Sequence, residues 1–256
     1  MAGTDICTVV VNSCDYYEEA WFPFFELVKK FWPDRNMEIV LNTETKNYED
    51  MELEVRCLHS DPAMAWSDRL ISVLNRVHTK YIILLLDDFF LQGYTDQKEI
   101  ENCISYMEND SQIAVFYFKH ITGHHSVSKK YQKYYEMDVR RKYILNFQAA
   151  VWNRKVLLGF LESGKSPWEI EEEGHACLRT DKKFYCAGTG SYYESDKNVF
   201  DYLWAEETGY GICKSKWLWN NKKLFKKHKI HVVYRRLGYM TYFEYVMKKI
   251  KKRIFN

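Results

Sequence analysis

A chain of 256 residues suits one large globular unit with a substantial buried core. Its 46% hydrophobic and 28% charged residues, with only 4 Pro and 11 Gly, exclude the disordered, collagen-like and low-complexity classes. The net charge of +2 hides an asymmetry. From Lys214 to Asn256 there are 14 Lys and Arg against the single acid Glu244, which is +13, while the first 213 positions hold 23 basic and 34 acidic residues, which is −11. A basic end on an acidic body points to an anionic partner such as a membrane surface. The basic residues form no groove-reading motif, so nucleic acid is not expected. Apolar runs reach six residues at most, as in Tyr81 to Leu86, far below the ~20 of a spanning helix, and no export signal is read. Seven cysteines without CxxC spacing fit small buried thiols in a reducing compartment. The expected location is cytoplasmic, peripheral at most on the inner face of a membrane. The 17% aromatic content suits the flat apolar faces of sugars or bases as well as it suits a core.

In chain order, Ile6 to Val11, Met37 to Leu41, Tyr81 to Leu86 and Ile113 to Phe118 are apolar, mostly β-branched or aliphatic runs of buried strands. Helical patterns lie between them. Tyr17 to Trp32 is one, with Pro23 expected to kink it or delay its start. Trp66, Leu70, Val73, Leu74 and Val77 share one helix face, and Ile100, Cys103, Ile104 and Met107 share another, opened by Asp96 with Glu99 three residues on. Strands alternating with helices predict an α/β fold with a mainly parallel sheet covered on both sides. His120 to Lys142 lacks periodicity and reads as a long loop. Asn153 caps a helix through Leu161, and strands are expected near Phe184 to Ala187 and Ile230 to Tyr234. The organisation predicted is a single domain: a nucleotide-binding half over 1–120, a second half over 121–241 and a basic amphipathic tail over 242–256.

Chemistry concentrates first at Leu86-Asp87-Asp88-Phe89, adjacent carboxylates at the end of an apolar strand. Ligands of open α/β sheets gather at such ends, and two acids repel unless a cation or proton separates them. Mg2+ or Mn2+ bound to oxygen ligands and substrate phosphates is the chemistry this pair suits. A second concentration is Ser166-Pro167-Trp168-Glu169-Ile170-Glu171-Glu172-Glu173-Gly174-His175. Ser166 at the N-cap, Pro167 at the first helical position and Glu169 three residues after the cap form a capping box. Trp168, Glu171 or Glu172, and His175 then share a face on which an acceptor could be held and deprotonated. His120, His124 and His125 have neither cysteine partners nor a helical pattern, which argues against zinc. In the tail, Phe243, Val246, Met247, Ile250 and Ile254 lie on one helical face with five basic residues around it, the pattern of an interfacial helix.

Thr8 to Val11 ending in Asn12-Ser13-Cys14-Asp15, a second strand ending in Asn42-Thr43-Glu44, the helix opening Trp66-Ser67-Asp68-Arg69-Leu70 and the Leu86-Asp87-Asp88 strand end resemble, in order and spacing, the nucleotide-sugar half of GT-A-type glycosyltransferases. The nearest likeness is to the family 2-like bacterial enzymes of surface polysaccharide synthesis. It covers roughly residues 5 to 120 well and the remainder loosely, and Phe89 stands where the family's Asp-x-Asp motif commonly has a third acid. The resemblance implies a nucleoside diphosphate sugar as donor, a saccharide or lipid-linked saccharide as acceptor, and a Mg2+ or Mn2+ cofactor on Asp87 and Asp88, with His231 as a further metal residue. It implies Ser13, Asp15 and Glu44 around base and ribose, with Asp87 facing ribose or metal, Arg69 near the diphosphate and His231 over it. It also implies an acidic general base at the start of a helix, Glu171 before Glu169.

Overall fold

The computed structural model describes residues 6–121, 126–140, 142–177, 180–188, 199–203 and 211–255. The chain gathers into two compact units interleaved along the sequence. Unit 1 holds residues 1–15, 34–86 and 95–200; unit 2 holds 16–33, 87–94 and 201–256.

Unit 1 is built on a sheet that, among the described residues, has nine strands in the order β3-β2-β1-β4-β8-β5-β9-β7-β6. The four apolar runs form its centre: β1 (Cys7–Asn12), β2 (Glu38–Thr43), β4 (Tyr81–Leu86) and β5 (Ile113–Tyr117). β1 and β5 are buried along their whole length. Neighbours β2 and β4 are parallel to β1, as is β3 (Val55–His59) to β2. Central strands of this kind are covered on both faces, so β1, β4 and β5 are mostly apolar along their length and show no alternation. β8 (Ala150–Asn153) runs antiparallel to both β4 and β5, and β9 (Lys183–Ala187) is again parallel to β5. β7 (Tyr134–Glu136) and β6 (Ser126–Val127) close the far edge antiparallel. With only β8 and β7 reversed, the sheet is mainly parallel, as expected.

The long loop expected over His120 to Lys142 contains these last two strands instead. A three-residue strand is too short to show periodicity, and what fixes it is tertiary. Tyr134 is buried, its hydroxyl 3.2 Å from Glu99 and 2.9 Å from the Cys103 thiol. Glu99 also takes Lys133 at 2.6 Å. Thus Asp96 caps the helix α3 (Gln97–Asn109) by accepting from Glu99 N–H at 3.0 Å, while the Glu99 carboxylate turns inward to this network. Residues 122–125, His124 and His125 among them, lie outside the described residues.

Two further helices of unit 1 begin as the sequence predicts. α2 (Trp66–Arg76) buries Leu70, Val73 and Leu74 against the sheet. α4 (Arg154–Phe160) is capped by Asn153, which accepts from Val156 N–H at 3.3 Å. α5 (Pro167–Cys177) follows Lys165 and Ser166, whose neighbourhood is tied to the first turn of α2. Ser67 exchanges hydrogen bonds with Lys165 at 2.9 and 3.1 Å, and the Asp68 carboxylate accepts from Gly164 N–H at 3.1 Å.

Unit 2 contains α1 (Glu18–Phe31), α6 (Asn221–Lys227), α7 (Tyr242–Phe255) and a small sheet of β10 (Ile212–Cys213), β11 (Lys216–Trp217) and β12 (Gly238–Tyr239). α1 runs through Pro23, and the expected late start does not occur. Only the Glu19 carbonyl loses its helical donor there, and Pro23 is buried with the rest of the apolar face. The strand expected over Ile230 to Tyr234 is absent: the segment pairs in no ladder, Lys229 is left-handed at φ 58° before it, and Val233 is exposed. Glu19 takes over the backbone there, accepting from Arg235 N–H at 3.0 Å, from Arg236 N–H and from Leu237 N–H at 3.3 Å.

Candidate active site

At the carboxyl ends of β1 and β2 the apolar runs both stop at asparagine, and Asn12 and Asn42 are register partners. Asn42, fully buried, donates to Asn12 Oδ1 at 2.7 Å and accepts from Ser60 Oγ at 3.0 Å. This buried amide pair pins the strand ends from which the next residues project. Ser13 donates its N–H to the Asn42 carbonyl at 3.1 Å, and its hydroxyl turns to Cys14 O at 3.4 Å. Asp15 accepts from the N–H groups of Glu44 (3.0 Å), Thr45 (3.1 Å) and Lys46 (3.3 Å) and from the Thr45 hydroxyl at 2.5 Å. Burial pushes its pKa up, but these hydrogen bonds outweigh that and hold it below the usual carboxylate range. Asp15 therefore organises the loop after β2. Glu44, in turn, accepts from Asp15 N–H and forms an ion pair with Arg69 of α2.

Three residues read separately from the sequence, Asp15, Glu44 and Arg69, thus form one linked cluster. Arg69 does not stand unpaired: Glu44 neutralises its charge. Its Nε–H is buried and has no acceptor among the described residues, a donor that a polar ligand atom would satisfy.

On the same α2, Trp66 packs edge-on against Phe147 at 4.5 Å. The N–H of Phe147 donates to Glu171 Oε1 at 2.8 Å, and Tyr143 N–H, from a left-handed residue at φ 63°, donates to the Glu171 carbonyl at 3.1 Å. Glu171 is therefore held beneath the 143–147 loop. Burial raises its pKa to about 7, against the lowering effect of the Phe147 hydrogen bond and with a smaller push from the Glu172 charge. Its second oxygen has no hydrogen bond among the described residues. That is a carboxyl poised at neutral pH, where a general base works best.

Glu169 is engaged as the sequence predicts. Its carboxylate accepts from Ser166 N–H at 2.8 Å and its N–H donates to Ser166 Oγ at 3.3 Å, the reciprocal capping box. Those hydrogen bonds lower its pKa, so it is ionised and occupied. Glu169→Gln keeps both contacts and should change turnover by less than about twofold in a steady-state assay. Trp168 is 71% exposed one turn before Glu171; the side chain of His175 lies outside the described residues.

Asp87 and Asp88 follow the last residue of β4. Asp87 is buried. Asp88 Oδ2 accepts from Ile212 N–H at a long 3.4 Å, its carbonyl from Gly211 N–H at 3.1 Å, and burial lifts its pKa to about 7 against that weak hydrogen bond. Gly211 is required here, since a Cβ would lie 2.1 Å from the Phe90 ring and 2.8 Å from the Asp88 carbonyl. Phe89, the residue that departs from the Asp-x-Asp pattern, is fully buried and stacks on Tyr202 at 4.6 Å, so it anchors unit 2. An undercompensated carboxyl next in sequence to a second buried Asp could hold a hard divalent cation, with its remaining ligands coming from outside the protein. Among the described residues no three His, Cys, Asp or Glu side chains gather as a metal group, and exposed His231 does not join Asp87 and Asp88 in one.

The strand order β3-β2-β1-β4-β8-β5-β9 with β8 reversed defines an α/β protein on a mainly parallel sheet, with polar residues gathered at the carboxyl ends of β1 and β2. No protein-family model and no curated protein matches the chain. Among solved structures it is similar to S. aureus TarS 1–349, at 10% identity and TM-score 0.43, over 77% of this chain and 60% of that one. It is similar to a cytidylyltransferase from Leptospira borgpetersenii at 12% identity and TM-score 0.41, over 92% and 100% of the two chains. A CMP:2-keto-3-deoxy-manno-octonic acid synthetase complexed with CTP follows at 12% and 0.41, over 72% and 92%. The chain thus spans less than two thirds of TarS 1–349, and what it does has to come from its own residues.

Proposed function

We propose that this chain is a glycosyltransferase that moves a sugar from a nucleoside diphosphate sugar to a hydroxyl of a saccharide or lipid-linked saccharide. The observation that carries this reading is Glu171, a half-buried carboxyl with a pKa of about 7, one oxygen fixed by Phe147 N–H and the other without a hydrogen bond among the described residues. Transfer to a hydroxyl needs a base that is ionised near neutral pH yet basic enough to take the proton. In the inverting reaction the acceptor oxygen bonds to the anomeric carbon as the bond to the diphosphate breaks. The nucleoside diphosphate leaves with that bonding pair, and the acceptor proton passes to Glu171. Trp168 offers an indole face one turn away on the same side of the helix, suited to a sugar ring. The donor is bound by the Asp15, Glu44 and Arg69 cluster, where Arg69 Nε–H has no acceptor among the described residues. Asp87 and Asp88 would hold Mg2+ or Mn2+, which, when bound, offsets the charge of the departing diphosphate.

The test is thermal denaturation with UDP, CDP or GDP, with and without Mn2+. One of them at a hundred times its Kd should raise stability by about 2.7 kcal/mol, a Tm shift of about 5–10 °C, and the shift should shrink without Mn2+. The absence of a shift with every nucleotide would remove the donor half of the proposal. A shift with no turnover of any nucleotide sugar would leave a binding protein on the same fold.

A further inference from the structure

An amphipathic helix ordinarily buries its apolar face on its own protein. α7 does the opposite. Tyr245 joins the core of Leu218 and Met240, and Tyr242 and Tyr245 meet Trp219 at 5.0 and 5.9 Å. At about 100° per residue, Phe243, Met247 and Ile250 lie within a narrow stripe on the other side of the helix, and they are 73%, 39% and 45% exposed. The sequence sets Lys248, Lys249, Lys251, Lys252 and Arg253 on the same helix. Its one acid, Glu244, is occupied by Thr241 N–H at 2.8 Å and Lys216 Nζ at 3.1 Å, closing a capping box with Thr241. The helix is therefore anchored by its tyrosines, presents an apolar stripe outward and carries five positive charges against one negative.

We infer that α7 docks on an anionic lipid bilayer surface, with Phe243, Met247 and Ile250 entering the headgroup boundary and the basic residues meeting the lipid charge. Charge chooses the occupant: a second copy of this helix would bring like charges together, whereas an anionic leaflet attracts each Lys and Arg.

Sedimentation of the full chain with phosphatidylcholine vesicles, with and without phosphatidylglycerol, tests this. Partitioning should be at least about tenfold stronger on the anionic vesicles and fall as salt is raised. Phe243→Ser/Ile250→Ser should weaken it at least about tenfold, with Tm within about 2 °C of the parent because both side chains are exposed. Lys248→Gln/Lys251→Gln should remove the preference for anionic vesicles, and decides the matter even if the apolar variant folds poorly. No binding to anionic vesicles, equal binding to both kinds, or unchanged binding by both variants would overturn the inference. So would a concentration-dependent dimer that dissociates in the apolar variant while vesicles leave the protein in the supernatant.

Discussion

On the proposed function, Glu171→Gln should lower sugar transfer by about 10² to 10⁴-fold, the loss typical of a missing proton acceptor, while the Kd for the donor should stay within about twofold. The amide keeps the size of the side chain and can still accept from Phe147 N–H, so the loop it supports stays in place. What disappears is basicity. The parent's kcat should rise with pH through about 7 and level off, following ionisation of this carboxyl, and the residual rate of the variant should lack that rise. Stability should move the other way. Folding lifts the Glu171 pKa from 4.5 to about 7, so the folded state binds this proton more tightly than the unfolded chain does. The resulting stabilisation is complete below about pH 4.5 and is lost as the pH climbs through 7. At pH 8 the parent carries a buried charge that the neutral variant lacks. Glu171→Gln should then be as stable as the parent or more so by about 1–3 kcal/mol, read from denaturant unfolding. A variant that lost both activity and stability would mark Glu171 as a prop for the 143–147 loop.

Asp87→Asn and Asp88→Asn should each abolish the Mn2+-dependent part of nucleoside diphosphate binding, measured by titration calorimetry, with at least about a hundredfold loss of affinity for the metal-loaded nucleotide. Asn is nearly isosteric, and Asp88 gives up only a 3.4 Å contact with Ile212 N–H, so the folded state should survive. Metal-independent binding of the nucleotide should survive too, because Glu44 and Arg69 sit on the loop after β2 and on α2. Unchanged Mn2+-dependent affinity in both variants would remove the metal from the account.

The fully buried strands were legible because parallel strands covered on both faces leave uninterrupted apolar runs, as in Tyr81 to Leu86. The helices α2 and α3 were legible because each buries a single stripe. The short antiparallel additions were not. β7 owes its place to the contacts of Tyr134 with Glu99 and Cys103, which no local pattern encodes, and β8 is a four-residue insertion between β4 and β5. The capping box of Ser166 and Glu169 was readable because its partners are three residues apart. The link between Glu44 and Arg69, and the grip of Phe147 on Glu171, span 25 and 24 positions, so only the fold brings them together. Asn12 and Asn42 did leave a signal, a polar residue ending each of two apolar runs, whose pairing became visible once the strands were in register. The expected strand at Ile230 to Tyr234 failed because β-branched composition gives a strand only where a neighbour can pair with it.

The central claim, that a nucleoside diphosphate sugar is cleaved at its glycosidic bond, is tested most directly by incubating the protein and Mn2+ with a panel of such sugars and identifying the released nucleotide, water serving as acceptor where no sugar acceptor is known. The account predicts time- and enzyme-dependent release of a free nucleoside diphosphate from at least one donor, and its loss in Glu171→Gln. No cleavage of any donor, or consumption of a nucleoside triphosphate with release of pyrophosphate instead, would contradict it.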